Sequence, residues 1–293
     1  TDIMESSLFL HKDCFSLVEW DGNVNLLKGG ISCADAVTSL SPSYLKYIRQ
    51  KGNYELESVL NNNNITAIPC GIDCNVYNPQ KNKALIKNYT ADDLEGKAAC
   101  KAEMQGQLKL CQDKDIPLIA FYGQLTKERG AQLLLKAVPQ MLKLNIQLAV
   151  IGKGDINCEN ELLEYSKAYK GKMGVLITEK SDFEHKISAA ADIALLPHAP
   201  LYYSEDAAKA LIYGTVCIAS KTGALADRVK NGVNGFLMNS LGEKELTSKV
   251  SEALKYYADK NAWKKLVTAA MKVDYSWEKG AEKYIKIWES LSV

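Results

Sequence analysis

The chain has 293 residues, of which 47% are hydrophobic and 24% charged, with a formal net charge of +1; that is enough for one large or two small globular domains with a substantial core. So even a charge balance gives no electrostatic footprint for nucleic acid or an anionic membrane, and no apolar run approaches the roughly 20 residues of a membrane span. The eight cysteines, at 14, 33, 70, 74, 100, 111, 158 and 217, include no CxxC pair, which argues against a zinc site and for reduced, buried thiols in an intracellular compartment.

Residues 1–10 lack a basic start leading into a long hydrophobic stretch, so no signal peptide is expected there. The first residue is Thr1, so a transit peptide or an upstream domain could have been removed, and plastid stroma and cytoplasm both stay open. The Gly29-Gly30 pair is expected to lead into a short helix, with a short strand over 37–40. Ser41 and Pro42 start the next helix, serine as N-cap and proline in the first turn. A polar loop over 61–64, a strand over 65–68 and a turn from Pro69 to Asp73 follow. From Tyr77 to Leu110 the chain is charged and is expected to be helical, its charges forming a solvated helix face.

A Rossmann-like region comes next. Residues 117–122 form an apolar run, 123–130 a glycine-bounded turn, and 131–144 a helix with apolar positions at helical spacing. A strand over 147–151 ends in the turn Gly152 to Asp155. Apolar runs at 175–177, 193–196 and 216–219 continue the alternation of strand and helix, which implies an α/β fold with a parallel sheet covered by helices on both faces. The last helix carries Tyr284, Ile287, Trp288 and Leu291 on one face, a core or interface stripe.

Chemistry is expected between Asp192 and Asp227. An apolar strand stops at Pro197, a loop runs from His198 to Asp206, and an alanine-rich helix ends at Gly214. In open α/β sheets ligands bind beyond the carboxyl ends of the strands, with phosphates at the N-terminus of the next helix. A phosphate site favours glycine and no negative side chain, whereas this loop ends in Glu205-Asp206, which suits a helix start but would repel a pyrophosphate. His185 and His198 are expected to be packing or surface residues.

These segments together resemble the glycogen and starch synthases, retaining glucosyltransferases of the GT-B fold. Asn23 to Ile31, Ala34-Asp35 and Ser41-Pro42 are similar to the end of that family's N-terminal domain, and Leu94 to Lys97 with Lys101 to the link between its domains. Pro197, Tyr213-Gly214-Thr215 and Thr222 to Asp227 resemble its C-terminal half, and Asp274 to Trp277 with Tyr284 to Trp288 its final helix. The resemblance implies a GT-B type fold in which 1–68 is the remnant of an N-terminal domain and linker. It makes 69–270 a Rossmann-like domain of the nucleotide-sugar-binding type, and 271–293 a crossing helix. In a complete synthase a further segment carrying a donor-binding glycine-rich loop would come before this point.

Carried over position by position, the family's carboxylate falls on Leu201, so no catalytic residue is assigned. Its phosphate-neutralising arginine and lysine fall on Gln124 and Arg129, and its glycine turn on Gly152 and Gly154. The aromatic residue near its nucleotide base falls on Glu179, and its Cys-Gly-Leu-Thr turn on Tyr203, Ser204, Glu205 and Asp206. The sugar-site turn falls on Cys70, Gly71 and Asp73, with cysteine replacing asparagine. Arg129 could keep one phosphate contact. Framework positions persist while positions that only chemistry explains have changed. This division implies a catalytically inactive, synthase-like protein acting as a scaffold or regulatory subunit, its partner an α-glucan or a protein of a larger assembly. One alternative is an active glucosyltransferase passing glucose from ADP-glucose or UDP-glucose to an α-glucan. Another is a different glycosyltransferase whose donor is held by His198, Lys209 or Arg228. No metal or cofactor is called for, ADP-glucose or UDP-glucose being the donor ligand if the site still works. An exposed Tyr202-Tyr203 pair would suit a sugar or protein surface.

Overall fold

A computed structural model describes residues 8–201 and 203–291, which form two compact units, one drawn from Thr1–Cys70 and Glu278–Val293 and the other from Gly71–Trp277. In the smaller unit, α1 (Phe15–Val18) precedes an antiparallel pair, β1 (Glu19–Trp20) and β2 (Asn23–Val24). Asn25 caps α2 (Leu26–Cys33), its side chain accepting from Lys28 N at 3.0 Å. The Gly29-Gly30 pair therefore lies inside this helix and does not merely lead into it. The reason is local packing: a Cβ on Gly29 would sit 2.7 Å from Val18 Cγ1. β3 (Val37–Ser39) runs parallel to β4 (Ile65–Ala67), with α3 (Pro42–Ile48) and α4 (Glu57–Asn61) between them. Ser41 caps α3 by accepting from Tyr44 N at 3.1 Å. Ile31, Leu45, Ile48, Leu56, Val59, Leu60 and Ile65 make this unit's core.

The larger unit opens with turns, not a helix. Asp73, Asn78 and Asn82 each accept from a backbone N–H two residues on, at 2.8, 2.9 and 2.9 Å. Such local side-chain bonds compete with helical ones, so the helix expected from Tyr77 begins only at α5 (Glu95–Gln107). Its lysines correct the expectation of a solvated face. Lys97 and Lys101 are buried, 7% and 5% exposed. Lys97 Nζ donates to the carbonyls of Ala189 and Ala191 and to Thr215 Oγ1 at 2.8–3.0 Å. Burial pulls its pKa down to about 8, with Asp192 opposing. Lys101 Nζ donates to Asp192 Oδ2 at 2.7 Å, an oxygen that also accepts from Leu118 N at 2.8 Å.

The sheet that follows has six strands, all parallel: β5 (Leu118–Leu125), β6 (Gln147–Gly154), β7 (Met173–Ile177), β8 (Ile193–Leu196), β9 (Val216–Ser220) and β10 (Gly235–Met238). Alternate residues feed two cores. Ile119, Phe121, Val150, Ile193 and Ile218 pack under α6 (Ala131–Met141), α7 (Ile156–Ala168), α11 (Glu243–Ala258) and α12 (Lys260–Met271). Ala120, Tyr122, Ile151, Leu196 and Ala219 pack under α5, α8 (Asp182–Ala190) and α9 (Asp206–Ile212), while α10 (Gly223–Arg228) follows β9. Fully burying each large apolar side chain contributes roughly 1.5–3 kcal/mol, so this double core dominates the unit's stability.

Strand order is β10-β9-β8-β5-β6-β7. The chain winds outward from β5 through β6 and β7, then returns to the other side of β5 with β8. The order reverses between β5 and β8, where Ile119 is in register with Ile193, and ligands of open α/β sheets bind at such a switch point. The final helix, α13 (Glu278–Leu291), belongs to the smaller unit and buries only Gly280; Trp288 is 62% exposed, so its apolar stripe is not core. Among the described residues no helix is long and apolar enough to cross a membrane.

Candidate functional site

At the switch point, the loop after β5 and the loop after β8 are tied together, Ala199 N donating to Glu128 O at 2.7 Å. Arg129, at the end of the first loop, folds back beneath β5. Its Nη2 donates to Tyr122 O at 2.9 Å and lies 2.6 Å from Asp206 Oδ2, at the start of α9. Both side chains are 9% exposed. Gly123 makes room for the guanidinium: its φ is +99°, and a Cβ there would lie 2.6 Å from Nη2. On the other side of the carboxylate, His198 Nε2 is 3.6 Å from Oδ2, while its Nδ1 is 3.2 Å from Ser204 Oγ. The His198 carbonyl accepts from Ser220 Oγ at 2.8 Å. Burial, reinforced by Arg129 and opposed by Asp206, pulls the His198 pKa down to about 4, so the ring is neutral at pH 7.

Arg129 and Asp206 form part of the wall of a cleft of about 500 Å³ at the carboxyl ends of β5 and β6, with His198 buried behind them. Two of the cleft's other three cations also have carboxylates. Lys209 Nζ is 3.1 Å from Glu184 Oε1 and 4.9 Å from the centre of the Tyr77 ring. Burial pulls Lys209 down, but its hydrogen bond with Tyr77 and the charge of Glu184 outweigh this and hold its pKa above the usual lysine range. On the exposed rim Lys153 Nζ is 3.9 Å from Glu179 Oε1. Lys180 is the fourth cation, so the lining carries a net charge of +1.

Residues 116–256 match the family model described as glycosyl transferases group 1, and residues 3–62 the model described as starch synthase catalytic domain. The chain is 34% identical over 288 residues to the glycogen synthase of Thioalkalivibrio sulfidiphilus (strain HL-EbGR7), a match covering 94% of this chain and 59% of that one. It is 33% identical over 278 residues to the glycogen synthase of Clostridium novyi (strain NT), covering 92% and 58%. The catalytic domain of starch synthase IV from Arabidopsis thaliana, solved bound to ADP and acarbose, superposes with a TM-score of 0.85 at 27% identity over 91% of this chain and 58% of that one. The chain belongs to the glycogen and starch synthase family. It spans about three fifths of the length of these curated relatives and matches their C-terminal part. The fold is of GT-B type; Anabaena HepE in complex with UDP-glucose shares it at a TM-score of 0.65 and 17% identity.

Within this synthase-family fold the cleft brings together Gln124, Arg129, Gly152, Glu179 and Asp206. Gly152 and Gly154 are required by strand packing, since a Cβ on either would run into the carbonyl of Gly123 or Leu125 on the neighbouring strand. Ser204 is buried on His198, Tyr203 is half-buried, and Glu205 is the residue before α9. Tyr202 lies outside the described residues. Leu201, at the position of the family's carboxylate, is 47% exposed. Gly71 packs against the backbone of Trp277, and Asp73 closes a turn through Asn75 N; Cys70 belongs to the smaller unit. His198 is 1% exposed, a buried neighbour of the site and not a surface residue. His185 packs on Tyr77, ring centres 4.9 Å apart, with Nδ1 3.0 Å from the Tyr213 hydroxyl. Sequence reasoning missed two things here: the acid at 206 has a cation waiting for it, and Lys209 and Glu184 form a second pair in the same cleft.

Proposed function

We propose that this chain is a synthase-family member that does not transfer sugar, and that it acts as a scaffold or regulatory subunit for an α-glucan or for a protein partner. The observation that carries this reading is the buried Arg129–Asp206 pair at 2.6 Å. Retaining transfer from a nucleotide sugar leaves charge on a departing diphosphate, so it relies on preorganised positive groups aimed at the phosphates. Here Arg129 is already committed to an internal carboxylate, and a phosphate would have to displace Asp206 and then remain beside it. Gln124 brings no charge, and Leu201 can neither accept a hydrogen bond nor carry charge. Losing one preorganised charged contact typically costs about 3 kcal/mol or more of transition-state stabilisation. Several such losses in one cleft leave little turnover.

A second reading, transfer of glucose from ADP-glucose or UDP-glucose to an α-glucan, is favoured by the identity to proteins named glycogen synthase and by the open cleft. The two separate in a transfer assay. Incorporation of labelled glucose from either donor into glycogen is expected to match the protein-free control. Steady turnover that scales with protein concentration would establish the second reading.

A further inference from the structure

The Asp206 carboxylate sits between a guanidinium and an imidazole, surroundings that suit a free oxyanion. Its Oδ2 faces Arg129 Nη2 at 2.6 Å on one side and His198 Nε2 at 3.6 Å on the other. The His198 ring is neutral, and Ser204 Oγ lies 3.2 Å from its Nδ1; in the tautomer that accepts from this hydroxyl, Nε2 carries the ring proton on the side facing Asp206. Each holder also has partners other than Asp206. Arg129 is fixed by the Tyr122 carbonyl and by the space over Gly123, and His198 by Ser204 and by Ser220 on β9. Arg129 and Asp206 both form part of the cleft wall, so the place the carboxylate occupies opens onto the cleft.

We propose that Arg129 and His198 form a receptor for one compact oxyanion, a phosphate or carboxylate group, and that Asp206 is its tethered, autoinhibitory occupant. This deepens, and rests on, the reading of the cleft as closed to nucleotide sugars. A tethered group competes at a high effective concentration, and a second anion beside it is repelled, so free anions stay out while Asp206 is charged. Neutralising Asp206 without changing its shape removes the repulsion and weakens the tethered group's hold on Arg129, so an incoming anion can displace it.

The test is calorimetric titration of the whole chain with inorganic pyrophosphate, using the wild type, Asp206→Asn and the double variant Arg129→Gln/Asp206→Asn. Asp206→Asn is expected to bind pyrophosphate about tenfold or more tighter than the wild type, and the double variant is expected to lose that gain. As a check independent of titration, Asp206→Ala is expected to melt at a higher temperature in sodium formate than in sodium chloride at equal ionic strength, a difference the wild type lacks. Equal affinities for wild type and Asp206→Asn, or a gain that survives in the double variant, would overturn the receptor. Wild type silent to UDP-glucose together with Asp206→Asn silent to pyrophosphate removes the receptor alone. UDP-glucose binding by the wild type removes the reading beneath it.

Discussion

Replacing Arg129 by methionine is expected to lower the free energy of unfolding by about 3–5 kcal/mol, the usual consequence of removing one partner from a buried ion pair. Asp206 would be left 6% exposed beside a neutral histidine, with its charge uncompensated. The Tyr122 carbonyl would also lose its donor. The double variant Arg129→Met/Asp206→Leu is expected to recover most of the loss, because a buried pair replaced by apolar groups of similar size is often neutral or better. Urea unfolding of the wild type, Arg129→Met and the double variant measures this. If the single variant unfolds within about 0.5 kcal/mol of the wild type, as an exposed substitution would, the pair is solvated and the account of the cleft wall is wrong.

Acidification from pH 7 to pH 5 is expected to remove about 2 kcal/mol of stability through His198 alone. The sign follows from its folded pKa, about 4, against an ordinary value of 6.5. Through the window between these values the unfolded chain holds a proton that the folded chain does not, so stability rises with pH across it. The contribution is present in full above pH 6.5 and is lost as pH falls toward 4. Glutamine at 198 keeps a donor and an acceptor but cannot titrate. His198→Gln should therefore show an acid loss smaller by that amount when urea midpoints at the two pH values are compared. Parallel losses in both proteins would mean the ring is protonated in the fold, and would remove the neutral donor facing Asp206.

The double-wound sheet is legible in the sequence because parallel strands buried on both faces show as short continuous apolar runs, as at 118–122 and 193–196. Local turn chemistry is legible where the signal is a single residue, as in the Ser41 cap, but Gly152 and Gly154, expected in a turn, lie inside β6, where the close neighbouring strand requires glycine. What depends on distant partners is not legible. Asp206 reads as a repulsive acid until the fold sets Arg129 2.6 Å away, and the loop between Pro197 and α9 gives no hint of that pairing. Lys97 and Lys101 look like a solvated face because lysine usually is one, and only tertiary structure supplies the carbonyls and Asp192 that satisfy them. The stretch between Tyr77 and Leu94 has helical composition, yet its asparagines close turns. In each case the governing interaction joins elements far apart in the chain, or competes locally with the pattern that composition suggests.

The most direct test of a self-neutralised donor cleft is calorimetric titration of the unmodified chain with ADP-glucose and UDP-glucose, with Leu201→Glu measured alongside. No saturable heat with either donor is expected for either protein, because restoring a carboxylate at 201 leaves Arg129 engaged by Asp206. Saturable binding of either donor to the unmodified chain, in the range of about 1 μM to 1 mM usual for substrates, would contradict it.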